Sequence, residues 1–87
     1  MFRLWGKIVK NNRLIKDTVI CDDSEDTRTH KIFHSLEQIT QQFDLGVPIW
    51  LDATIQDFQQ YNRVRFTRDN FMEDIDFDYL EIHIIEE

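Results

Sequence analysis

Glycine, proline and cysteine are scarce in this chain of 87 residues, which contains two glycines, one proline and one cysteine. A lone cysteine, Cys21, excludes an internal disulfide and favours a reducing compartment. The few glycines and the single proline leave no stretch with the composition of a flexible linker, and no repeat or low-complexity segment is present. We therefore expect residues 1–87 to form one globular domain with one core.

Long apolar runs are also missing. No stretch approaches the roughly 18 apolar residues needed to cross a bilayer. Arg3, Lys7 and Lys10 interrupt the N-terminal segment, where a signal peptide would be apolar. The net charge of −7 gives the chain little attraction to an anionic membrane surface. We expect a cytoplasmic protein with no membrane partner.

Two extended segments that meet at Asn11-Asn12 predict a β-hairpin over residues 2–21, because asparagine tolerates the positive φ of a two-residue type I′ turn. Such a turn places Lys10 opposite Arg13. Continued without interruption, the register puts six apolar residues on one face as three cross-strand pairs: Ile8 with Ile15, Leu4 with Val19, and Phe2 with Cys21.

Acids are absent from one end of the chain and bases from the other. Residues 1–16 hold five basic side chains and no acid, whereas residues 69–87 hold eight acids and no lysine or arginine. We expect the two terminal segments to lie side by side, with Glu81 near Lys7 and Lys16, two lysines that the hairpin register places opposite each other. An exposed charge dipole offered to a charged partner is the alternative.

The central segment has the pattern of an amphipathic helix. A polar loop over residues 22–28 supplies acids and hydroxyls suited to a helix N-terminus. The helix is predicted over about 29–43, with an apolar stripe at helical spacing formed by Ile32, Phe33, Leu36, Ile39 and Phe43. We expect this stripe to cover the apolar face of the hairpin.

The second half of the chain predicts one more helix and two more strands. A short helix is expected over about 54–61, opened by Asp52 or Thr54 as its cap. Alternating apolar and polar residues predict strands over 63–67 and 77–86, and apolar residues on both faces of the last one favour an interior strand. The predicted fold is α+β: a small antiparallel sheet of hairpin and later strands, covered on one face by the long helix.

Four segments carry a resemblance that spans nearly the whole chain. They are IKDTVICDDSEDTRTHKIF (residues 15–33), PIWLD (48–52), RFTRDNF (65–71) and DFDYLEI (76–82). In these segments the chain resembles a group of short uncharacterised proteins of clostridial-type bacteria. The resemblance implies a bacterial, cytoplasmic, stand-alone protein of similar length, and it implies no activity, ligand or functional residue.

The sharpest chemical pattern is a histidine pair. His30 and His34 are four residues apart on the predicted helix, a spacing that lets two imidazoles meet one metal ion, and Glu37 follows one turn later. This side of the helix lies opposite the apolar stripe. The alternative interpretation is therefore three solvated polar residues on an exposed helix face, because the rest of a zinc pattern is missing.

No catalytic residue and no cofactor are predicted. Cys21 as a nucleophile would need a lowered thiol pKa and an oriented base, whereas the hairpin register points it into the core beside Phe2. Carboxylate pairs are expected in a chain with seventeen acids, so solvated or capping roles are favoured. The glycines occur singly, which excludes a phosphate-binding glycine-rich loop.

Nucleic-acid binding has some support but a strong objection. Basic residues surround Trp5 in the hairpin and Tyr61 in the second half, an arrangement that suits phosphates and stacked bases. The net charge of −7 opposes such binding. The acidic C-terminal segment would instead suit a mimic of a phosphate backbone.

The favoured hypothesis is a non-catalytic protein-binding or regulatory module, whose partner is another protein or a second copy of itself. Its basis is a mixed outer face of the hairpin, formed by Trp5, Val9, Leu14 and Ile20, and a second tryptophan, Trp50, in a short extended segment. Exposed tryptophan is enriched in interface hot spots. The competing hypothesis is a small metal protein or enzyme that uses His30, His34 and Glu37.

Overall fold

The sheet of this protein has four antiparallel strands in the order β2-β1-β4-β3. A computed structural model describes all residues from Met1 to Glu87. Its elements in chain order are β1 (Phe2–Lys10), β2 (Arg13–Asp22), α1 (Arg28–Gln42), α2 (Asp52–Tyr61), β3 (Arg63–Phe66), a single 3-10 turn (Arg68–Asn70) and β4 (Tyr79–Glu86). The predicted α+β fold is confirmed, and β4 is an interior strand as expected.

The hairpin turns at Asn11 and Asn12, whose φ angles of 53° and 62° are those of a type I′ turn. Lys10 pairs with Arg13 as predicted. Beyond Val9 and Leu14 the register shifts, so that Ile8 pairs with Lys16 and Ile15 is the extra residue of a β-bulge.

The bulge makes the predicted cross-strand pairs wrong. Because successive side chains point to opposite faces, a shift by one residue moves each side chain of β2 from Lys16 onward to the other face. The pairs that form are Leu4 with Ile20, Trp5 with Val19, Gly6 with Thr18, Lys7 with Asp17, and Arg3 with Cys21. Ile20 is therefore buried, whereas Ile15 and Val19 are 54% and 43% exposed.

Asp17 gives the physical reason for the bulge. In the uninterrupted register Asp17 would lie opposite Gly6 on the face that α1 covers, where Ile39 approaches within 2.8 Å of the position of a Gly6 Cβ. An ionised carboxylate in that apolar contact would be costly. The shift places Asp17 on the other face, where its Oδ2 accepts a hydrogen bond from Trp5 Nε1 at 2.8 Å.

The helix α1 covers the face of the sheet that carries Leu4, Gly6 and Ile8. It begins after Thr27, whose hydroxyl accepts a hydrogen bond from the His30 amide at 3.2 Å. The predicted stripe is buried apart from Phe33, which is 45% exposed. The absence of a side chain at Gly6 lets Ile39 approach the sheet backbone.

The helix α2 joins the same side of the sheet through Phe58, which belongs to the core with Val64 and Phe66 of β3. It begins at Asp52, and neither predicted cap residue holds the N-cap position, which Leu51 occupies. The Thr54 hydroxyl instead accepts a hydrogen bond from the Leu51 amide at 2.7 Å. Neither helix is long and apolar enough to span a membrane.

The core lies on the helix side of the sheet, and Phe71 of the loop before β4 completes it. In β4 the residues Leu80, Ile82 and Ile84 point into it and are 0 to 7% exposed. Their neighbours along the strand point the other way. Both helices are on one side, so the opposite side of the four-stranded sheet has no layer of structure above it.

Candidate interaction face of the sheet

The uncovered side of the sheet, here called the outer face, is built from cross-strand rows. Strand pairing aligns Asp17 of β2, Lys7 of β1, Glu81 of β4 and Arg65 of β3 in a central row. The charges of this row alternate in sign from one edge of the sheet to the other. The adjacent row consists of Val19, Trp5, His83 and Arg63.

Glu81 is the centre of the ion-pair network in the central row. Its Oε2 lies 2.7 Å from Lys7 Nζ, and its Oε1 accepts a hydrogen bond from Arg65 Nε at 3.0 Å. The residue is only 7% exposed. Burial by itself would raise the pKa of Glu81, but the hydrogen bonds from Lys7 and Arg65 outweigh it and hold the pKa below its ordinary value. The carboxylate therefore stays ionised and paired.

Two aromatic rings tie the same cations to the outer face. Lys7 Nζ lies 4.0 Å from the ring centroid of Trp5, and Arg65 lies 4.5 Å from that of Tyr79. Trp5 also donates its indole hydrogen bond to Asp17. Each cation of the central row thus has both a carboxylate and an aromatic partner, so the row is a closed network with no net charge.

Apolar side chains complete the outer face. Val19 and Leu14 of β2 are 43% and 52% exposed, while Val9, Tyr79 and Trp5 are half-buried. Of the four residues assigned to the outer face of the hairpin from the sequence, Trp5, Val9 and Leu14 lie there. Ile20 does not, because the bulge turns it into the core at 7% exposure.

Trp50, the second predicted interaction residue, lies on the opposite side of the protein. It is half-buried in an aromatic cluster, with ring centroids 5.0 Å from Phe66, 5.6 Å from Phe58 and 6.1 Å from Phe33, each in an edge-on geometry. Its Nε1 is buried without a hydrogen-bond partner. The exposed edge of the cluster lines a groove of about 260 Å³ between the two helices.

The histidine pair lies on an exposed face of α1. The two rings are stacked with their centroids 6.2 Å apart, and both side chains are more than half exposed. Asp26, rather than Glu37, is their neighbour: its Oδ1 is 2.9 Å from His30 Nδ1 and its Oδ2 is 3.9 Å from His34 Nδ1. The hydrogen bond with His30, together with one from the Thr27 amide, lowers the pKa of Asp26.

No group of three histidine, cysteine, aspartate or glutamate residues is arranged to hold a metal ion. Asp26 contacts both histidines as a hydrogen-bond and ion-pair partner, at the N-terminus of α1. The arrangement fits the interpretation of solvated polar residues on a helix face better than that of a metal site.

Cys21 is exposed, which corrects its predicted burial beside Phe2. The cause is again the bulge, because Cys21 pairs with Arg3 on the outer face while Asp22 pairs with Phe2. The thiol lies at the edge of the sheet on β2.

The basic and acidic ends of the chain lie side by side, as expected from their charges. Lys7 contacts Glu81, and Arg3 Nε lies 3.2 Å from Glu86 Oε2. Arg28, the first residue of α1, adds a contact to the acidic end, with its Nε 2.7 Å from Glu87 Oε1. The prediction that Lys16 also contacts Glu81 is wrong. After the bulge Lys16 points to the helix side, where its Nζ lies 5.2 Å from the ring centroid of Phe43.

Sequence reasoning found Trp5 but missed Asp17, Arg65 and Tyr79 as members of the outer face. Their rows depend on strand order, which no local pattern in the sequence reveals. A scan of protein-family models, a search of curated proteins and a search of solved structures each found no match to this chain.

Proposed function

We propose that the protein is a non-catalytic binding module that docks another protein on its outer face. The observation that carries the proposal is the bare side of the sheet, where Trp5, Tyr79 and Val19 lie around a closed, neutral row of charges. Aromatic residues are enriched at protein interfaces. Three of the four charged groups in the row, Lys7, Glu81 and Arg65, are already ion-paired, so a partner can cover them without leaving these charges unpaired.

The charge distribution favours a protein over a nucleic acid as the partner. The cations nearest the aromatic rings, Lys7 and Arg65, both contact Glu81, so neither is free to neutralise a phosphate. The net charge of −7 adds repulsion of a polyanion. A role as a mimic of a nucleic acid has less support, because Glu81 and Glu86 of the acidic segment are paired with bases of β1.

The pKa pattern favours binding over catalysis. A carboxylate that acts as a catalytic acid or base is expected in a cleft, with a pKa shifted towards the pH at which the enzyme works. Glu81 is the one buried acid with a lowered pKa, and two cations hold it ionised. This is the behaviour of a structural ion pair.

The proposal is tested by affinity capture from a cell lysate with wild-type protein and two matched variants. Val19→Glu puts a charge on the outer face at a side chain that is 43% exposed, and Ile55→Glu puts the same charge beside the groove between the helices, at 39% exposure. We expect a protein retained by wild type and Ile55→Glu but not by Val19→Glu. Loss with Ile55→Glu alone, or retention of nucleic acid instead of protein, would refute the proposal.

A further inference from the structure

We propose that the partner on the outer face is a second copy of this chain, docked face to face about a two-fold axis that runs parallel to the strands. The inference rests on the proposed function and names the partner for the same surface. Two stacked sheets related in this way would lie about 10 Å apart with their strands nearly aligned. Most homo-oligomers of soluble proteins are two-fold dimers of this self-complementary type.

The alternating charges of the central row select this axis. A two-fold axis along the strands reverses the strand order of the second sheet, so that β2 lies over β3 and β1 lies over β4. Asp17 then faces Arg65 of the second copy, and Lys7 faces Glu81 of the second copy. A two-fold axis across the strands would stack each strand on itself and place like charges together. The outer face is therefore its own electrostatic complement in one orientation.

The adjacent rows fit the same orientation. Trp5 would face His83 of the second copy, and Val9 would face Tyr79 of the second copy, because each pair is aligned across β1 and β4. These contacts are aromatic or apolar on both sides. They supply the buried anchors that an interface needs around its charged row.

Burial of the two inner members of the central row, Lys7 and Glu81, would add little desolvation cost. The side chains of Lys7 and Glu81 are already only 20% and 10% exposed in a single copy, and each has its ionic partner. Docking would thus remove little further water from these two groups. Unpaired charges on a flat surface would resist such burial much more strongly.

The size of the face sets the expected strength. About eight residues from each of three strands and the four residues of β3, at about 4.8 Å between strands and about 3.3 Å per residue, give a face of roughly 450 Å². Two copies would bury about 900 Å², which is in the range of weak, transient interfaces. We expect a reversible dimer with a dissociation constant in the micromolar range or weaker.

Charge reversal at the two edges of the row gives a sharp test. Asp17 and Arg65 lie on opposite edge strands, so a direct contact between them exists only in the dimer. In a homodimer of Asp17→Arg, an arginine faces an arginine at both symmetry-related contacts. In a homodimer of Arg65→Asp, an aspartate faces an aspartate at both contacts. An equimolar mixture of the two variants would place opposite charges together at both contacts. Glu37→Arg, on the exposed side of α1, is a control with the same charge change as Asp17→Arg.

The readout is sedimentation equilibrium of the full chain over a concentration series, with a thermal melt of each variant to show that it is folded. We expect wild type and Glu37→Arg to dimerise with similar dissociation constants. Asp17→Arg alone and Arg65→Asp alone should each associate at least about tenfold more weakly, and their equimolar mixture should dimerise about as well as wild type. A wild-type protein that stays monomeric, or dimers insensitive to both reversals, would overturn the inference, as would a mixture that fails to recover.

These outcomes are separable from those of the proposed function. A monomeric wild type that still retains a different protein, and loses it with Val19→Glu, would leave the binding module in place and remove the second copy as its partner. A dimer that recovers in the charge-swapped mixture would identify the partner directly.

Discussion

Glu81→Gln is the substitution that probes the centre of the outer face. It keeps the shape of the side chain but removes the charge that holds Lys7 and Arg65. Lys7 is 20% exposed, so its 2.7 Å contact is sheltered and resembles a charge-assisted hydrogen bond worth about 1.5 to 3 kcal/mol. Arg65 is 61% exposed, so solvent screens its contact to at most about 1 kcal/mol. We expect the free energy of unfolding to fall by about 2 to 3 kcal/mol at neutral pH.

The matched control is Glu86→Gln on the same strand. Glu86 also contacts two cations, Arg3 at 3.2 Å and the N-terminal ammonium at 3.4 Å, but all three groups are more than 40% exposed. Its loss should cost less than about 1 kcal/mol. In thermal melts at low protein concentration, we expect the melting temperature of Glu81→Gln to lie about 10 to 20 °C below that of wild type. The melting temperature of Glu86→Gln should fall by only a few degrees.

The pH dependence supplies the second measurement. The folded-state pKa of Glu81 lies below its ordinary value near 4.5, so its contribution is fully present above that value and is lost as the pH falls through the folded-state pKa. Wild type should therefore lose more stability than Glu81→Gln between about pH 5 and pH 2, and the two curves should converge in acid. Equal effects of the Glu81 and Glu86 substitutions, or parallel pH curves, would refute the buried ion-pair network.

Three further substitutions test the core. Leu36→Ala empties a site that is 0% exposed and should cost about 2 to 5 kcal/mol in chemical denaturation; a near-neutral result would show that α1 does not dock on the sheet. Gly6→Ala places a methyl group 2.8 Å from Ile39 and should cost about 1 to 3 kcal/mol, with less than additive loss in the Gly6→Ala/Ile39→Ala double variant; strict additivity would contradict the contact. Ser35→Ala removes a buried hydroxyl with no hydrogen-bond partner and should leave the melting temperature unchanged or raise it, whereas a loss above about 1 kcal/mol would reveal a missed partner.

The outer face shows which functional features local sequence patterns can reveal. Trp5 can be identified because a tryptophan between Arg3 and Lys7 on the outward side of a predicted strand is visible in the sequence itself. Its direct neighbours across the sheet come from β2 and β4, and one of them, His83, is 78 residues away along the chain. Residues so distant become neighbours only through strand order. The sequence therefore indicates one residue of the proposed interaction surface, and the strand order supplies the others.

Local physical chemistry determined the elements. The positive φ tolerance of Asn11 and Asn12 specifies the hairpin turn, the helical spacing from Ile32 to Phe43 specifies α1, and the alternation from Leu80 to Ile84 specifies β4. These signals act within a few residues of one another. They predict the turn, the helix and the strand without knowledge of which other elements pack against them.

Tertiary structure decided the register of β2 and everything that depends on it. An uninterrupted register has the better apolar pairing in isolation, but the fold covers Gly6 with Ile39, and Asp17 opposite Gly6 would lie as a charged carboxylate beside this apolar contact. The bulge at Ile15 moves Asp17 to the outer face, exposes Cys21 and separates Lys16 from Glu81. The choice depends on the cost of a carboxylate beneath a helix, and that cost exists only once the helix is docked.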